Sequence, residues 1–206
     1  MTGTPPCGHR AAAPGFTLIE LLVVVAIMSI LASLSVPLLR SLSESSGLTS
    51  AGQTLSDQIK LAVQTASSRG QVVEVRLIQV ARIPGGTHYR AVQLWTANTA
   101  GTMAPAEKMA LFAGGIAINE SPQLSPLLGL AGIPGGTFTQ AGASLAYVAF
   151  RVHPSGFFEP EPDATSKSHL YVTLLPDRLA SASAAPANYL TVQVSPYTCA
   201  PAIYRP

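Results

Sequence analysis

The sequence predicts an α+β protein, in which one long N-terminal helix packs against an antiparallel β-sheet. Three observations lead to this fold class. An uncharged apolar run near the N-terminus is long enough for a helix of several turns. A stripe of apolar residues at helical spacings of three and four follows it. From Gln71 onwards, apolar and polar residues alternate with a period of two, as they do in half-buried strands.

The overall composition already excludes two classes of protein. The chain has 206 residues, of which only 11% are charged, and its net charge is +2. Soluble domains carry roughly 25% charged residues, and disordered proteins usually combine high charge with few apolar residues. The low charge therefore argues against disorder, and the near-neutral balance disfavours nucleic acid as a partner. The length suits one small domain with an appendage.

The apolar run is the first half of the predicted helix. It extends from Leu21 to Leu39, 19 residues without a charge, and Arg40 closes it. A helix of this length spans roughly 28 Å, close to the ~30 Å hydrocarbon core of a bilayer. We therefore expect residues 16–40 to form a membrane-spanning helix, kinked near Pro37. A buried core helix, a cleaved secretory signal and a plain signal anchor are the alternatives, but none explains Glu20 at the start of the run.

The second half of the helix is predicted to be amphipathic and to continue into a globular head. Residues 41–70 contain a stripe that recurs at spacings of three and four, which we expect to pack on a sheet. The stripe consists of Leu48, Ala51, Leu55, Ile59, Ala62 and Ala66. Gly70 follows Arg69 in the pattern of a helix C-terminus, where glycine relieves the strain of a left-handed residue.

The rest of the chain, residues 71–206, is predicted to form the β-rich head. The first two strands are expected to form a hairpin around the Ile-Pro-Gly-Gly-Thr turn at 83–87. The predicted strands are 71–81, 88–95, 109–112, 115–118, 145–152, 169–175 and 189–194. Residues 119–144 are predicted to be mostly loop. The pentapeptide occurs again at 133–137, where we expect a second turn.

A short N-terminal segment of the sequence closely resembles the motif of a known protein family. Gly15-Phe16-Thr17-Leu18-Ile19-Glu20, followed by the apolar helix, closely resembles the class III signal of type IV pilins and type II secretion pseudopilins. The resemblance implies that residues 1–15 are a prepilin leader peptide, cut off between Gly15 and Phe16 by a membrane peptidase. It also implies N-methylation of the new terminal Phe16, a filament-core position for the helix of residues 16–40, and a pilin-like fold for the whole chain.

Within this family, the head is most similar to the minor pseudopilin H and FimT/FimU-type group. The similarity lies in a helix that ends in Arg69-Gly70 and in a Phe-x-x-x-Pro-x-Gly turn at 150–156. Verrucomicrobial cassette proteins of type D are a second similar group. The Pro-rich tail at 195–206 departs from the pattern, because it lacks the closing glycine-containing strand that the family leads us to expect.

The resemblance implies a structural role without catalysis or a cofactor, as a minor subunit of a type II secretion or type IV pilus-like filament. The implied partners are the prepilin peptidase/methylase, other pilin or pseudopilin subunits and the bacterial inner membrane, with the N-terminus cytoplasmic and the head periplasmic. Glu20 is expected to neutralise the Phe16 amine of a neighbouring subunit, which would leave neither charge unpaired. The alternative is a membrane-anchored binding module, such as a DNA-uptake minor pilin.

Other candidate sites are weaker. Glu159, Glu161 and Asp163 place three carboxylates within five residues, which makes them a weak candidate for a calcium site. The intervening prolines favour a solvated loop instead, so we assign no metal centre. Cys7 lies in the leader, so cleavage would leave Cys199 as a single thiol, which we expect to be buried.

Overall fold

The computed structural model describes residues 15–83, 85–160 and 170–206, and for residues 34–42 it describes the backbone alone. The chain divides into two compact units, Met1–Ser41 and Leu42–Pro206. The α+β class predicted from the sequence is confirmed, because one long helix precedes two antiparallel sheets.

Helix α1 extends over 52 residues, from Leu18 to Arg69. It ends as predicted at Gly70, whose φ of +61° is the left-handed conformation that glycine adopts without strain. The N–H of Gln71 then donates to the carbonyl of Ala66, which satisfies one of the last helical carbonyls. Pro37 lies within α1 and does not end it, and the kink expected there stays a prediction.

No helix among the described residues has both the length and the hydropathy needed to cross a membrane. The membrane span expected for residues 16–40 is therefore not confirmed.

Eleven strands follow the helix in the described part of the chain. They are β1 (Val73–Arg82), β2 (Gly86–Ala97), β3 (Met103–Pro105), β4 (Ala110–Leu111), β5 (Ile116–Ile118), β6 (Gly135–Gln140), β7 (Ala143–Val152), β8 (Phe158–Glu159), β9 (Tyr171–Pro176), β10 (Leu190–Val194) and β11 (Pro201–Tyr204). The first sheet has the order β3-β2-β1-β7-β6, with β4 paired to β2 and β8 to β7. The second sheet has the order β11-β10-β9-β5.

The core lies between the second half of α1 and the two sheets. All six residues of the predicted stripe, Leu48 to Ala66, are at most 1% exposed. They belong to one apolar cluster with Leu77 and Phe150 of the first sheet and Val192 of the second. Gly52 lets the helix approach β10 closely, because a Cβ atom there would lie 2.6 Å from Cδ2 of Leu190.

Two parts of the strand prediction are wrong. β6 lies in the region predicted to be loop, and it includes Gly135, Gly136 and Thr137 of the second pentapeptide, which is therefore a strand and not a turn. Glycine weakens the local strand signal, and only pairing with β7 makes this segment a strand. β11 lies in the tail, where no strand was predicted, and Pro201 opens it at a sheet edge. It contains no glycine, so it is not the glycine-containing closing strand that the family leads us to expect.

Candidate functional site

The segment from Gly15 to Glu20 forms a defined helix start. The N–H and the hydroxyl of Thr17 donate to Oε2 of Glu20 at 2.9 and 2.8 Å, and the N–H of Glu20 donates to Oγ1 of Thr17 at 3.3 Å. This reciprocal pattern is a capping box, which satisfies backbone donors that the first turn of a helix leaves unpaired.

The capping box gives Glu20 a partner inside its own chain. Glu20 was predicted to matter for its charge, and Thr17 was not predicted to take part, although a Thr-x-x-Glu spacing before an apolar run is the signal of this motif. Only Oε2 of the carboxylate is used, and Oε1 accepts no hydrogen bond from any described residue.

Gly15 is a glycine that the described structure does not require. No atom lies within 4 Å of the position that a Cβ would take, and its φ is outside the left-handed region. The residue is exposed, together with Phe16, whose side chain is 79% exposed. A larger residue at position 15 would therefore fit the fold. If glycine is required at this position, the requirement comes from a molecule that binds this segment and not from the fold.

The helix behind this segment exposes apolar side chains on every side. Every residue from 15 to 33 is exposed. The large apolar side chains among them are Phe16, Leu18, Ile19, Leu21, Leu22, Val23, Val24, Val25, Ile27, Met28, Ile30 and Leu31. The hydroxyls of Ser29 and Ser33 donate to carbonyls of the preceding turn at 2.7 Å, so they need no outside partner. Continuous apolar surface of this extent indicates a surface that something else covers.

Two arginines from the C-terminal part of the chain, Arg178 and Arg205, form hydrogen bonds with the part of α1 that belongs to the second unit. The guanidinium of Arg178 donates to both carboxylate oxygens of Glu44, and this bond raises the pKa of Arg178. Arg205 donates to Ser45 at 2.7 Å and to Thr49 at 2.9 Å. The sequence gives no local sign of these contacts, because their partners lie more than 130 residues apart.

Of the remaining candidates, Glu159 and Cys199 lie within the described residues. Glu159 pairs with Arg151 at 3.5 Å, while Glu161 and Asp163 lie outside the described residues. Within the described ranges, no group of three or more His, Cys, Asp or Glu side chains could hold a metal ion. Cys199 is a free, buried thiol as expected, and burial raises its pKa to about 12.

The N-terminal segment matches a known family of sequences. Residues 10–36 match the family model described as the Prokaryotic N-terminal methylation motif. This segment carries the methylation motif. The resemblance seen in the sequence is thereby confirmed for the N-terminus, and the match ends before the head begins.

Two further comparisons concern the whole chain. No curated protein matches the sequence. Among solved structures, the chain is similar to the minor pseudopilin EpsH from the type 2 secretion system of Vibrio cholerae, with a TM-score of 0.42 and 10% identity. That similarity covers 77% of this chain and 95% of EpsH.

Proposed function

We propose that the chain is a structural subunit, a minor pseudopilin or pilin, of a type II secretion or type IV pilus-like filament. The observation that carries the proposal is the apolar surface of residues 16–33, which is exposed on all sides and directly follows Gly15. The methylation motif matched over residues 10–36 supports the same conclusion. Neighbouring subunits would cover this surface in the filament. Before assembly it would lie in the bacterial inner membrane, with the head in the periplasm.

Processing would cut the peptide bond between Gly15 and Phe16. A prepilin peptidase/methylase needs access to this bond, and both residues are exposed. The cut would leave the capping box intact, because the N–H of Thr17 belongs to the next peptide bond. The new amine on Phe16 would then stand one residue before the first capped turn of α1.

Assembly would use the free half of the Glu20 carboxylate. Thr17 occupies Oε2, so Oε1 is available to the Phe16 amine of a neighbouring subunit. An unpaired charge inside an apolar filament core would be costly, whereas a matched amine and carboxylate neutralise each other. The pair would also set the axial register between two subunits.

Mass spectrometry of the N-terminus of the chain, purified from cells with a prepilin peptidase, tests the proposal. We expect a mature chain that begins with N-methylated Phe16. Gly15→Val should block this processing without unfolding the head, because the fold tolerates a side chain at position 15. An intact Met1 in the unmodified chain would contradict the proposal and indicate a plain membrane anchor.

Two substitutions at Glu20 separate its charge from its capping role. Glu20→Gln keeps an acceptor for the Thr17 donors, since glutamine also completes a capping box. Glu20→Ala removes both functions. We expect both variants to be cleaved normally but to enter filaments at least about tenfold less, because each lacks the charge that would pair with the amine.

Cross-linking of subunits in sheared filament fractions, normalised to cleaved chain in the cells, measures this incorporation. Thr17→Ser is the matched control, since serine retains the cap and the charge of Glu20 is untouched. Normal incorporation of Glu20→Gln, with loss for Glu20→Ala alone, would show that the carboxylate acts only as a helix cap.

A further inference from the structure

The outer face of the second sheet contains an open groove of about 450 Å³. The pairing of the strands explains its lining, since Gln193 lies opposite Tyr171 and Thr191 lies opposite Tyr204. Tyr189, Arg205 and Pro206 complete the lining. The other face of β9 and β10 is buried in the core, so this part of the groove is supported from below by packed apolar side chains.

Three tyrosine rings surround the groove. The hydroxyl of Tyr171 donates to the carbonyl of Gln123 at 3.2 Å, which positions that ring. Tyr204 lies on the edge strand with its side chain 56% exposed. Tyrosine offers an apolar ring and a polar hydroxyl at little entropic cost on binding, and it is therefore enriched where proteins recognise ligands.

The floor between the rings carries neutral polar groups. Oγ1 of Thr191 contacts Oγ1 of Thr173 at 3.2 Å. The side chain of Gln193 and the hydroxyls of Tyr189 and Tyr204 make no hydrogen bond to any residue in the described part of the chain. Each of these groups can both donate and accept, as the hydroxyl groups of a ligand can.

The described lining of the groove has no free cationic side chain that could bind an anionic ligand. No Asp or Glu side chain lines the groove, and Arg205 is its single Lys or Arg among the described residues. The guanidinium of Arg205 is already engaged, because it donates to Thr49, Ser45 and Asn188. Single-stranded nucleic acid needs free cations along its phosphates as well as aromatic stacking, and this groove offers only the rings.

We propose that this groove binds a neutral oligosaccharide. A sugar ring has an apolar C–H face, which the tyrosine rings can cover, and a rim of hydroxyl groups, which match the two-way hydrogen-bonding groups of the floor. The volume lies within the range of roughly 300–1,000 Å³ that is typical of small-ligand sites. The positioned Tyr171 and Arg205 reduce the ordering that binding would require.

Isothermal titration calorimetry of the full chain tests the proposal. The chain is held in lauryldimethylamine oxide micelles, since detergents with sugar headgroups would compete. The probes are maltotetraose, cellotetraose and N-acetylated chitotetraose. We expect at least one to bind with a Kd of about 0.1–10 mM, as suits an open site with few anchors.

Variants assign the binding to the groove. Tyr204→Ala and Gln193→Leu should each weaken it at least about fivefold, while Tyr204→Phe, which keeps the ring, should retain more affinity than Tyr204→Ala. Tyr197→Ala is the matched control, because Tyr197 is an exposed tyrosine outside the groove. Fluorescence of Trp95, the single tryptophan, verifies that each variant is folded.

Three results would overturn the proposal. One is the absence of binding heat for all three probes at 10 mM. Another is equal affinity of the groove variants and the unsubstituted chain. The third is tighter binding of decathymidylate or of tetragalacturonate than of any neutral probe, which would assign the groove to single-stranded DNA or to an acidic glycan.

Discussion

The two halves of helix α1 differ in the solvent exposure of their apolar side chains. In the first half, residues 18–33 are all exposed, and Leu22 has 60% of its side chain accessible. In the second half, the stripe from Leu48 to Ala66 is buried, and Leu55 is only 1% exposed. Both halves have the same regular backbone, so the difference lies in what covers them.

The distribution of polar residues explains the contrast. The second half has a polar face that includes Gln53, Asp57, Lys60 and Gln64, so one side suits water and the other suits the sheets. Residues 18–33 of the first half have no such face, because they contain just three polar residues, Glu20, Ser29 and Ser33. A helix that is apolar on all sides has to be buried in protein or lipid. The second half thus contributes its apolar stripe to the core of the head, whereas residues 18–33 leave their apolar side chains exposed.

Matched leucine substitutions give the largest expected difference between the halves. Leu55→Ala should lower the free energy of unfolding of the head by about 2–5 kcal/mol, because it removes a buried side chain and leaves a cavity. Leu22→Ala should change it by less than about 0.5 kcal/mol, since no described residue of the head covers that side chain. Urea unfolding followed by Trp95 fluorescence measures both. Equal losses would remove the distinction between the halves.

The reactivity of the Cys199 thiol measures how well the folded head buries this residue. Burial raises its pKa from 9.0 to about 12, which lowers the thiolate fraction at pH 8 by about 1,000-fold. In a Cys7→Ser background, we expect Cys199 to react with a disulfide reagent at least about 100-fold more slowly in the folded chain than in urea. Ser50→Cys, at an exposed position of the same unit, is the reactive control.

The same raised pKa predicts a pH dependence of stability. A group whose pKa is higher in the folded state stabilises the fold below its unfolded pKa, and this contribution is lost as the pH rises through the folded value. The unsubstituted chain should therefore lose more stability between pH 9 and 12 than Cys199→Ala does. Parallel pH profiles of the two chains would contradict the buried environment of this thiol.

Gly52→Ala tests how closely the second half of α1 packs against Leu190 of β10. Alanine favours a helix by up to about 1 kcal/mol over glycine, but its Cβ would lie 2.6 Å from Cδ2 of Leu190. Displacing Leu190 should outweigh the helical gain and leave a net loss of about 1–2 kcal/mol. Ser50→Ala, on the exposed side of the helix, should change stability by less than about 0.5 kcal/mol. A stabilised Gly52→Ala chain would show that this helix–sheet contact is loose.

Local patterns account for the features that were predicted correctly. The stripe of the second half, the glycine cap at Gly70 and the hairpin of β1 and β2 each depend on residues close together in the sequence. The N-terminal motif is equally local, and it includes the Thr17–Glu20 capping box that its spacing could have revealed. Features of this kind follow from side-chain periodicity and backbone preference alone.

Long-range pairing accounts for the features that were not predicted. Neither the separation into two sheets nor the strand character of β6 and β11 has a local signal, because glycine and proline obscure it. Buried charges were also hidden. Arg76 lies between the rings of Trp95 and Tyr147, 3.7 and 3.9 Å from their centroids, and pairs with Glu74 at 2.6 Å. In the sequence, these residues form an ordinary alternating strand.

The helix, its two contrasting halves and the methylation motif at its start are therefore encoded locally in the amino-acid sequence. These properties depend on the order of residues within a few helical turns. The strand pairing, the buried charges and the meeting of three tyrosines on one sheet face became visible in the folded chain alone. Those features join residues far apart in the chain, and hydrogen bonding and packing between them set the result.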